Sequence, residues 1–156
     1  MRGAVALAAV MVMVMAAGCH DSVSFSFSDQ GMVCLSPPTA QPTVGQPATT
    51  PATFAAGQPV AVSVIMPICL SSSCSKDASA TCRVTMLDAT TLQVKSQGGF
   101  RLESGGACTT DCGLLVAHCQ TAPLAPGRYQ FRHRNDTVTL EVPSTVSSPC
   151  AGIGPF

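Results

Sequence analysis

Nine cysteines in a chain of 156 residues constrain this fold more than any other feature of the sequence. They are Cys19, Cys34, Cys69, Cys74, Cys82, Cys108, Cys112, Cys119 and Cys150. The chain has no Trp and only 4% aromatic residues, so Val, Leu, Ala and a few Phe must build its core. Small exported domains with modest cores are commonly reinforced by disulfides. We therefore expect a small domain held together by several disulfides.

The chain begins with an apolar segment that ends in "MVMVMAAGCHDS", residues 11–22. Arg2 supplies one positive charge, and no charged residue interrupts the run from Ala4 to Ala17. A membrane-spanning helix needs roughly twenty apolar residues, which is more than this run offers. A charged start, a short apolar stretch and small residues at its end are typical of a secretory signal. We expect residues 1–18 to be a signal peptide that forms a helix.

The small residues before Cys19 resemble the bacterial lipobox, in which a lipoprotein signal peptidase cuts before a cysteine whose thiol carries diacylglycerol. The resemblance covers residues 1–19 and implies a lipid on Cys19 that attaches the protein to a membrane of the bacterial cell envelope. Ala16 stands where that family usually has a larger aliphatic residue such as Leu. An ordinary signal peptide and a secreted soluble protein are therefore the alternative.

The number of cysteines supports the lipid interpretation, because an odd count in an exported protein needs an explanation. If Cys19 carries lipid, eight cysteines remain, enough for four disulfides. We expect Cys34 and Cys150 to tie the two ends, and the other six to form two local clusters, at 69–82 and 108–119. The alternative is that these clusters bind metal or act as redox thiols. Their spacing lacks the repeated close pairs of a structural zinc site, so we expect no metal and no cofactor.

The rest of the chain is predicted to form β-structure. Alternating apolar and polar residues predict a half-buried strand at 22–28 and further strands in "QPVAVSVIM", "TCRVTMLD" and "LQVKS". The residues expected to point inward are Val23, Phe25, Phe27, Val60, Val62, Val64, Met66, Cys82, Val84, Met86, Leu92 and Val94. "GLLVAHC" is apolar on both faces and predicts either a central strand or a strand covered on both faces. Residues 36–53 are rich in proline and predict an extended linker or an edge segment that crosses the domain.

The last predicted hairpin is "GRYQFRHRNDTVTLEV". Taking Asn135 and Asp136 as a two-residue turn places Phe131 opposite Leu140, Tyr129 opposite Val142, and His133 opposite Val138. On the other side Arg132 lies opposite Thr139, and Gln130 opposite Glu141.

Two passages resemble the immunoglobulin-like β-sandwich. "TFAAGQPVAVSV" (53–64) resembles the turn from the first strand into the second, with Gly57 at the corner. "LAPGRYQF" (124–131) resembles the turn into the penultimate strand, with Tyr129 as the corner tyrosine. The resemblance implies an antiparallel sandwich over residues 48–145, after a tether at 19–47 and before a tail at 146–156. Antibody domains have a cysteine where Phe131 stands, so their inter-sheet disulfide is absent.

A search for chemistry in the sequence finds no catalytic or phosphate-binding motif. We expect His133 to be a partly exposed residue at a strand end and His118 to be a hydrogen-bonded strand residue. Arg128, Arg132 and Arg134 suggest either an anion-binding stripe or, as we favour, a solvated charged face. Cys108 and Cys112 suggest either a redox pair or, as we favour, structural disulfide cysteines.

These observations predict a non-enzymatic, lipid-anchored envelope protein with a structural or binding role. The formal net charge of the chain is +0, so no nucleic-acid partner is expected. The partner could be a protein or a glycan, and the residues do not choose between them. The alternative is a metal-binding or thiol-redox envelope protein that uses the two cysteine clusters.

Overall fold

The computed structural model describes residues 22–38, 51–103, 106–147 and 149–153, and all regular structure there is β. The strands are β1 (Ser22–Ser28), β2 (Met32–Ser36), β3 (Ala52–Phe54), β4 (Ala61–Leu70), β5 (Ser75–Met86), β6 (Thr91–Glu103), β7 (Gly113–Gln120), β8 (Gly127–His133), β9 (Asp136–Val142), β10 (Ser144–Val146) and β11 (Cys150–Ala151). The predicted all-β class is confirmed. The predicted signal helix and Cys19 lie outside the described residues, as does the middle of the proline-rich linker. Within the described part, no helix is long and apolar enough to cross a membrane.

The strands form two main sheets and one small one. The five-stranded sheet has the order β1-β6-β8-β9, with β5 on the other side of β6. The four-stranded sheet has the order β11-β2-β4-β7, and β3 pairs with β10 separately. All pairs are antiparallel except β6 with β8, which run parallel over Thr91–Gln93. The two strands in the predicted tether, β1 and β2, pair with β6 and β4 and so belong to the main sheets.

The core lies between the two main sheets, so the fold is sandwich-like. The four-stranded sheet contributes Val33, Leu35, Val62, Val64, Met66, Leu115 and Ala117, and the five-stranded sheet contributes Leu92, Val94, Tyr129, Phe131, Val138, Leu140 and Val142. The period-two pattern places these residues on one face of each strand. The predicted inward face of β4 is confirmed, and so are Leu92 and Val94 of β6.

The four-stranded sheet differs from the prediction at β7, which lies at its edge and pairs only with β4. Cys119 continues the inward face of β7 after Leu115 and Ala117, and a disulfide joins it to Cys82 of β5. The prediction for Met86 is also wrong, because this residue ends β5 at the border of the sheet and is 47% exposed.

The first strand also differs from its prediction. β1 forms as predicted, but Val23 is 54% exposed and Phe25 is 41% exposed. Only Phe27 on its apolar face packs against the core. The strand lies at the end of the sheet, beyond the area that the opposite sheet covers. The last two residues of the predicted linker, Ala52 and Thr53, begin β3, which brings Phe54 into the core.

The β8–β9 hairpin has the predicted faces but a different register. Phe131 lies opposite Val138, and Tyr129 lies opposite Leu140. The turn consists of Arg134 and Asn135, with Arg134 at a φ of 55°. The shift of the turn moves each partner by two residues, and such a shift leaves the inward face unchanged. The predicted pairs were therefore wrong although the buried side chains were right.

Four disulfides join the eight cysteines of the described residues. Cys34 pairs with Cys150, as predicted. The remaining pairs are Cys69–Cys112, Cys74–Cys108 and Cys82–Cys119. The two cysteine clusters are thus bound to each other, and the expectation of separate local clusters is wrong. The cause is the fold, which places the β4–β5 segment beside the loop that leads into β7.

Candidate functional site

The face of the five-stranded sheet that points away from the core is polar along its whole width, and we call it the polar face. It carries Ser22, Ser24, Ser26, Ser28, Lys76, Ser79, Thr81, Arg83, Thr85, Thr91, Gln93, Lys95, Gln97, Gly99, Arg101, Glu103, Arg128, Gln130, Arg132, Thr137, Thr139 and Glu141. Alternation along each strand assigns them to this side because their neighbours fill the core. Every Lys and Arg after Arg2 lies on this face or in the β8–β9 turn.

A groove of about 680 Å³ crosses the polar face where β1, β6 and β5 meet. Its walls include Ser26, Ser79, Thr81 and Gln97, whose hydroxyl and amide groups donate and accept hydrogen bonds. Gly99 forms part of its floor, and a Cβ there would lie 2.7 Å from the Phe25 carbonyl oxygen. Glycine at this position therefore permits the close approach of β1 to β6 and leaves the groove open.

The charges around the groove are largely paired. The Lys95 ammonium lies 2.8 Å from the Asp29 carboxylate, and the Arg101 guanidinium lies 3.1 Å from Asp77 and 3.2 Å from Glu103. Partial burial raises the pKa of Asp29, but hydrogen bonds from Lys95 and from the Ser96 backbone outweigh it and lower that pKa overall. The groove thus presents a mixed, nearly balanced set of charges and suits a polar ligand better than a polyanion.

The predicted arginine stripe is exposed on the polar face. Arg132 donates to the Gln130 side chain at 3.5 Å, and Arg128 lies directly opposite Glu141 on β9. Arg134 belongs to the turn and does not share the strand face. This arrangement agrees with the favoured interpretation of a solvated charged face.

His118 is a hydrogen-bonded strand residue, as predicted. Its Nδ1 lies 3.1 Å from the Ser63 hydroxyl oxygen on the neighbouring strand β4. His118 is exposed, whereas Ser63 is only 1% exposed. A serine that deeply buried cannot reach a substrate carbonyl, so the pair holds β7 to β4 and does not form a nucleophilic site.

His133 departs from its prediction, since it is 1% exposed. Its Nε2 lies 3.0 Å from the Ser96 hydroxyl oxygen, while its Nδ1 has no hydrogen-bond partner. Burial lowers the pKa of His133, and the nearby carboxylates of Asp29 and Asp136 oppose that effect. The alternation along β8 indicated that the His133 side chain points inward, because His133 follows Tyr129 and Phe131 on the same face of the strand.

The cysteine-rich loop is held by disulfides and short polar contacts. Cys108 pairs with Cys74, and Cys112 pairs with Cys69, so the two loop cysteines are structural, as favoured, but are not bonded to each other. Hydrogen bonds from Thr109 and Ser72 lower the pKa of Asp111. Among the described residues, no group of three or more His, Cys, Asp or Glu side chains is arranged to hold a metal ion.

Comparison of the chain with family models, curated proteins and solved structures finds no match. The site must therefore be judged from its own geometry. The described residues place hydroxyl, amide and paired charged groups on one broad surface, and they bury the Ser96–His133 contact and the hydroxyl of Ser63. This arrangement is suited to binding a polar partner by hydrogen bonds.

Proposed function

We propose that this protein is a lipid-anchored envelope protein with a structural or binding role and no enzymatic activity. One observation carries the proposal: the four disulfides use every cysteine after Cys19. Cys19 then has no cysteine of its own chain to pair with, as expected of a residue that carries lipid. Four disulfides also indicate an oxidising, extracellular or periplasmic environment.

The position of Cys19 determines how such a protein would be presented. The first strand begins at Ser22, a few residues after the proposed lipid. One acyl chain gives weak attachment, whereas the several chains of a mature lipoprotein hold a domain firmly at the bilayer. The short connection would keep the five-stranded sheet close to the membrane, with the polar face available to envelope components.

We assign the domain to the immunoglobulin-like sandwiches as part of the same proposal. Its main support is the Tyr129 hydroxyl, which donates to the Ala125 carbonyl oxygen at 2.9 Å while the ring is buried, as in a tyrosine corner. Gly57, with a φ of 74°, donates its N–H to the Leu124 carbonyl oxygen at 2.7 Å. The two passages that resemble this family are therefore in contact.

Two features depart from that family. β8 has a parallel neighbour in β6, whereas the sheets of the immunoglobulin fold are antiparallel. The disulfides lie at the edge and ends of the sandwich, and Phe131 fills the position of the family cysteine. The resemblance would then extend to the packing of the core and the tyrosine corner, with a different arrangement of outer strands.

The lipid anchor is tested by replacing the cysteine that carries it. In bacterial cells, Cys19→Ala should move the protein from the membrane pellet to the soluble fraction or leave it with an uncleaved signal. Ala16→Leu is the matched control, because it makes the segment more similar to the lipobox and should leave the protein in the membrane. The proposal fails if mature Cys19→Ala protein stays in the pellet to the same extent as the parent.

Mass spectrometry of the intact parent separates this function from the metal or thiol alternative. Four disulfides and a lipid-modified N-terminus are expected on the proposal. Free thiols in the two cysteine clusters, or bound zinc or copper in stoichiometric amount, would support the alternative.

A further inference from the structure

Strand edges expose unpaired backbone N–H and C=O groups, and proteins usually protect them. The free edge of β5 carries Lys76 and Arg83, has a bulge between Lys76 and Ser79, and is tethered to β7 by a disulfide. The edge strand β9 carries Asp136 and Glu141. Each of these edges therefore has a charge, a bulge or a covalent tether that discourages pairing with another chain.

β1 has none of these protections. Its sequence, SVSFSFS, contains no charge and no proline, and its seven residues pair with β6 without a register shift. In the part of the chain that the structure describes, no strand pairs with the other edge of β1. A long, regular and neutral edge strand is the kind that accepts a further strand.

Two large apolar side chains of the five-stranded sheet are exposed on the same strand, and a third, Met86, is exposed at the end of β5. The rings of Phe25 and Phe100 stack with centroids 5.0 Å apart, and the rings of Phe27 and Phe100 stack with centroids 6.1 Å apart. Phe100 is buried, yet Phe25 is 41% exposed and Val23 is 54% exposed. A strand added to β1 would extend the sheet and cover these two side chains.

We propose that this strand is β1 of a second copy of the protein, in an antiparallel pair centred on Phe25. The alternating pattern is self-complementary in this arrangement. Phe25 lies opposite the Phe25 of the second copy and Val23 lies opposite Phe27, so the apolar side chains share one face. Ser22 lies opposite Ser28 and Ser24 opposite Ser26 on the other. The two five-stranded sheets become one continuous sheet, and their polar faces form a single surface.

The described charges next to β1 are paired with opposite charges. Asp29, which follows the strand, has a φ of 51° and directs its carboxylate to Lys95 and the Ser96 backbone, so its charge is neutralised. At the other end of the strand, the Arg101 guanidinium is paired with the carboxylates of both Asp77 and Glu103. No like charges lie opposite each other within Ser22–Ser28, and a second copy meets no electrostatic penalty there.

The test uses single cysteines in the full chain, expressed and exported in bacterial cells. Directly opposed residues in an antiparallel pair have Cα atoms roughly 4.5 or 5.5 Å apart, within the range of a disulfide. Phe25→Cys should therefore form a dimer that reducing agent dissociates on a gel. Ser24→Cys is the matched control, because the Ser24 residues of two copies lie diagonally, at a separation too large for direct bonding.

A second variant pair preserves the central phenylalanine. Val23→Cys and Phe27→Cys copies with different tags should form a mixed disulfide dimer when co-expressed, whereas Val23→Cys alone should not. The proposal is supported by a severalfold excess of dimer in Phe25→Cys over Ser24→Cys together with the mixed dimer. It is overturned if neither pair gives more dimer than its control. It is also overturned if Phe25→Cys forms no dimer and its thiol is protected from a water-soluble maleimide in intact membranes but reacts once the membranes are dissolved. In that case the membrane covers this strand.

Discussion

Two regions of this sandwich are held together by different means. The stapled edge, which comprises residues 69–75 and 106–112, is polar and largely exposed, and three disulfides cross it or lie beside it. The β8–β9 hairpin has no disulfide, yet its inward apolar side chains are all at most 5% exposed. The chain thus uses covalent bonds where its side chains are too small and polar to build a core, and apolar burial elsewhere.

The contacts within the stapled edge show why burial alone would not hold it. The hydroxyls of Ser71 and Ser73 lie 2.9 and 3.3 Å from the Thr109 hydroxyl, and the Ser72 N–H donates to Asp111. Exposed hydrogen bonds of this type exchange with water and add little net stability. The disulfides therefore have the larger part in bringing the β4–β5 segment and the loop together.

The largest effect is expected in the hairpin. Phe131 is completely buried in the core, so Phe131→Ala should lower the free energy of unfolding by about 3–5 kcal/mol. Urea unfolding with the disulfides intact measures this loss. Arg132→Ala is the matched control on the adjacent, exposed position and should change stability by no more than about 0.5 kcal/mol. Similar losses in both variants would contradict the assignment of the hairpin as the core region.

An intermediate effect is expected from the disulfide between β5 and β7. Cys82→Ala with Cys119→Ala should lower the free energy of unfolding by about 2–3 kcal/mol, since the bridge closes a loop in the unfolded chain. The value is at the lower end of the usual range because Cys69–Cys112 and Cys74–Cys108 constrain nearly the same segment.

The control for the disulfide replaces its exposed neighbours, Thr81→Ala with Gln120→Ala, and should leave stability nearly unchanged. Urea unfolding of both double variants decides the comparison. If loss of the bridge costs no more than the control, the disulfide beside the stapled edge does not stabilise the fold, and the covalent support of this region rests on Cys69–Cys112 and Cys74–Cys108 alone.

Local alternation predicted most of the strands and their inward faces, because the pleat repeats every two residues wherever a strand forms. It did not predict the hairpin register, since Arg134 adopts the positive φ that residue types such as Asn and Asp usually take. The exposure of Phe25 was also missed. It depends on where the opposite sheet ends, which no local pattern records.

The candidate site could be predicted from the sequence less well than the strands, because residues that are distant in the chain form it. The groove exists because β1 and β5 meet on either side of Gly99, and these strands are far apart in the sequence. The number of disulfides followed from the cysteine count, but the pairing of Cys74 with Cys108 needed the fold. The burial of His133 was missed although its alternation with Phe131 indicated an inward side chain.

The smallest effect concerns His133, and it depends on pH. Burial lowers the pKa of His133 below its ordinary value of 6.5, which means that the folded protein binds this proton less readily than the unfolded chain. Both states are neutral at this side chain above about pH 7, so it then contributes no pH dependence. As the pH falls through the unfolded-state pKa, the unfolded chain takes up the proton first, and stability decreases. Below the folded-state pKa the decrease stops.

Measurement of the free energy of unfolding between about pH 7 and pH 5 tests this prediction. The parent should lose stability over that range, and His133→Gln should lose less, because glutamine does not titrate. Asp29 and Asp136 favour the protonated imidazole, whereas Lys95 and Arg134 disfavour it. If the parent gains stability on acidification, the carboxylates outweigh burial, and the core region near the hairpin turn is more polar than its packing implies.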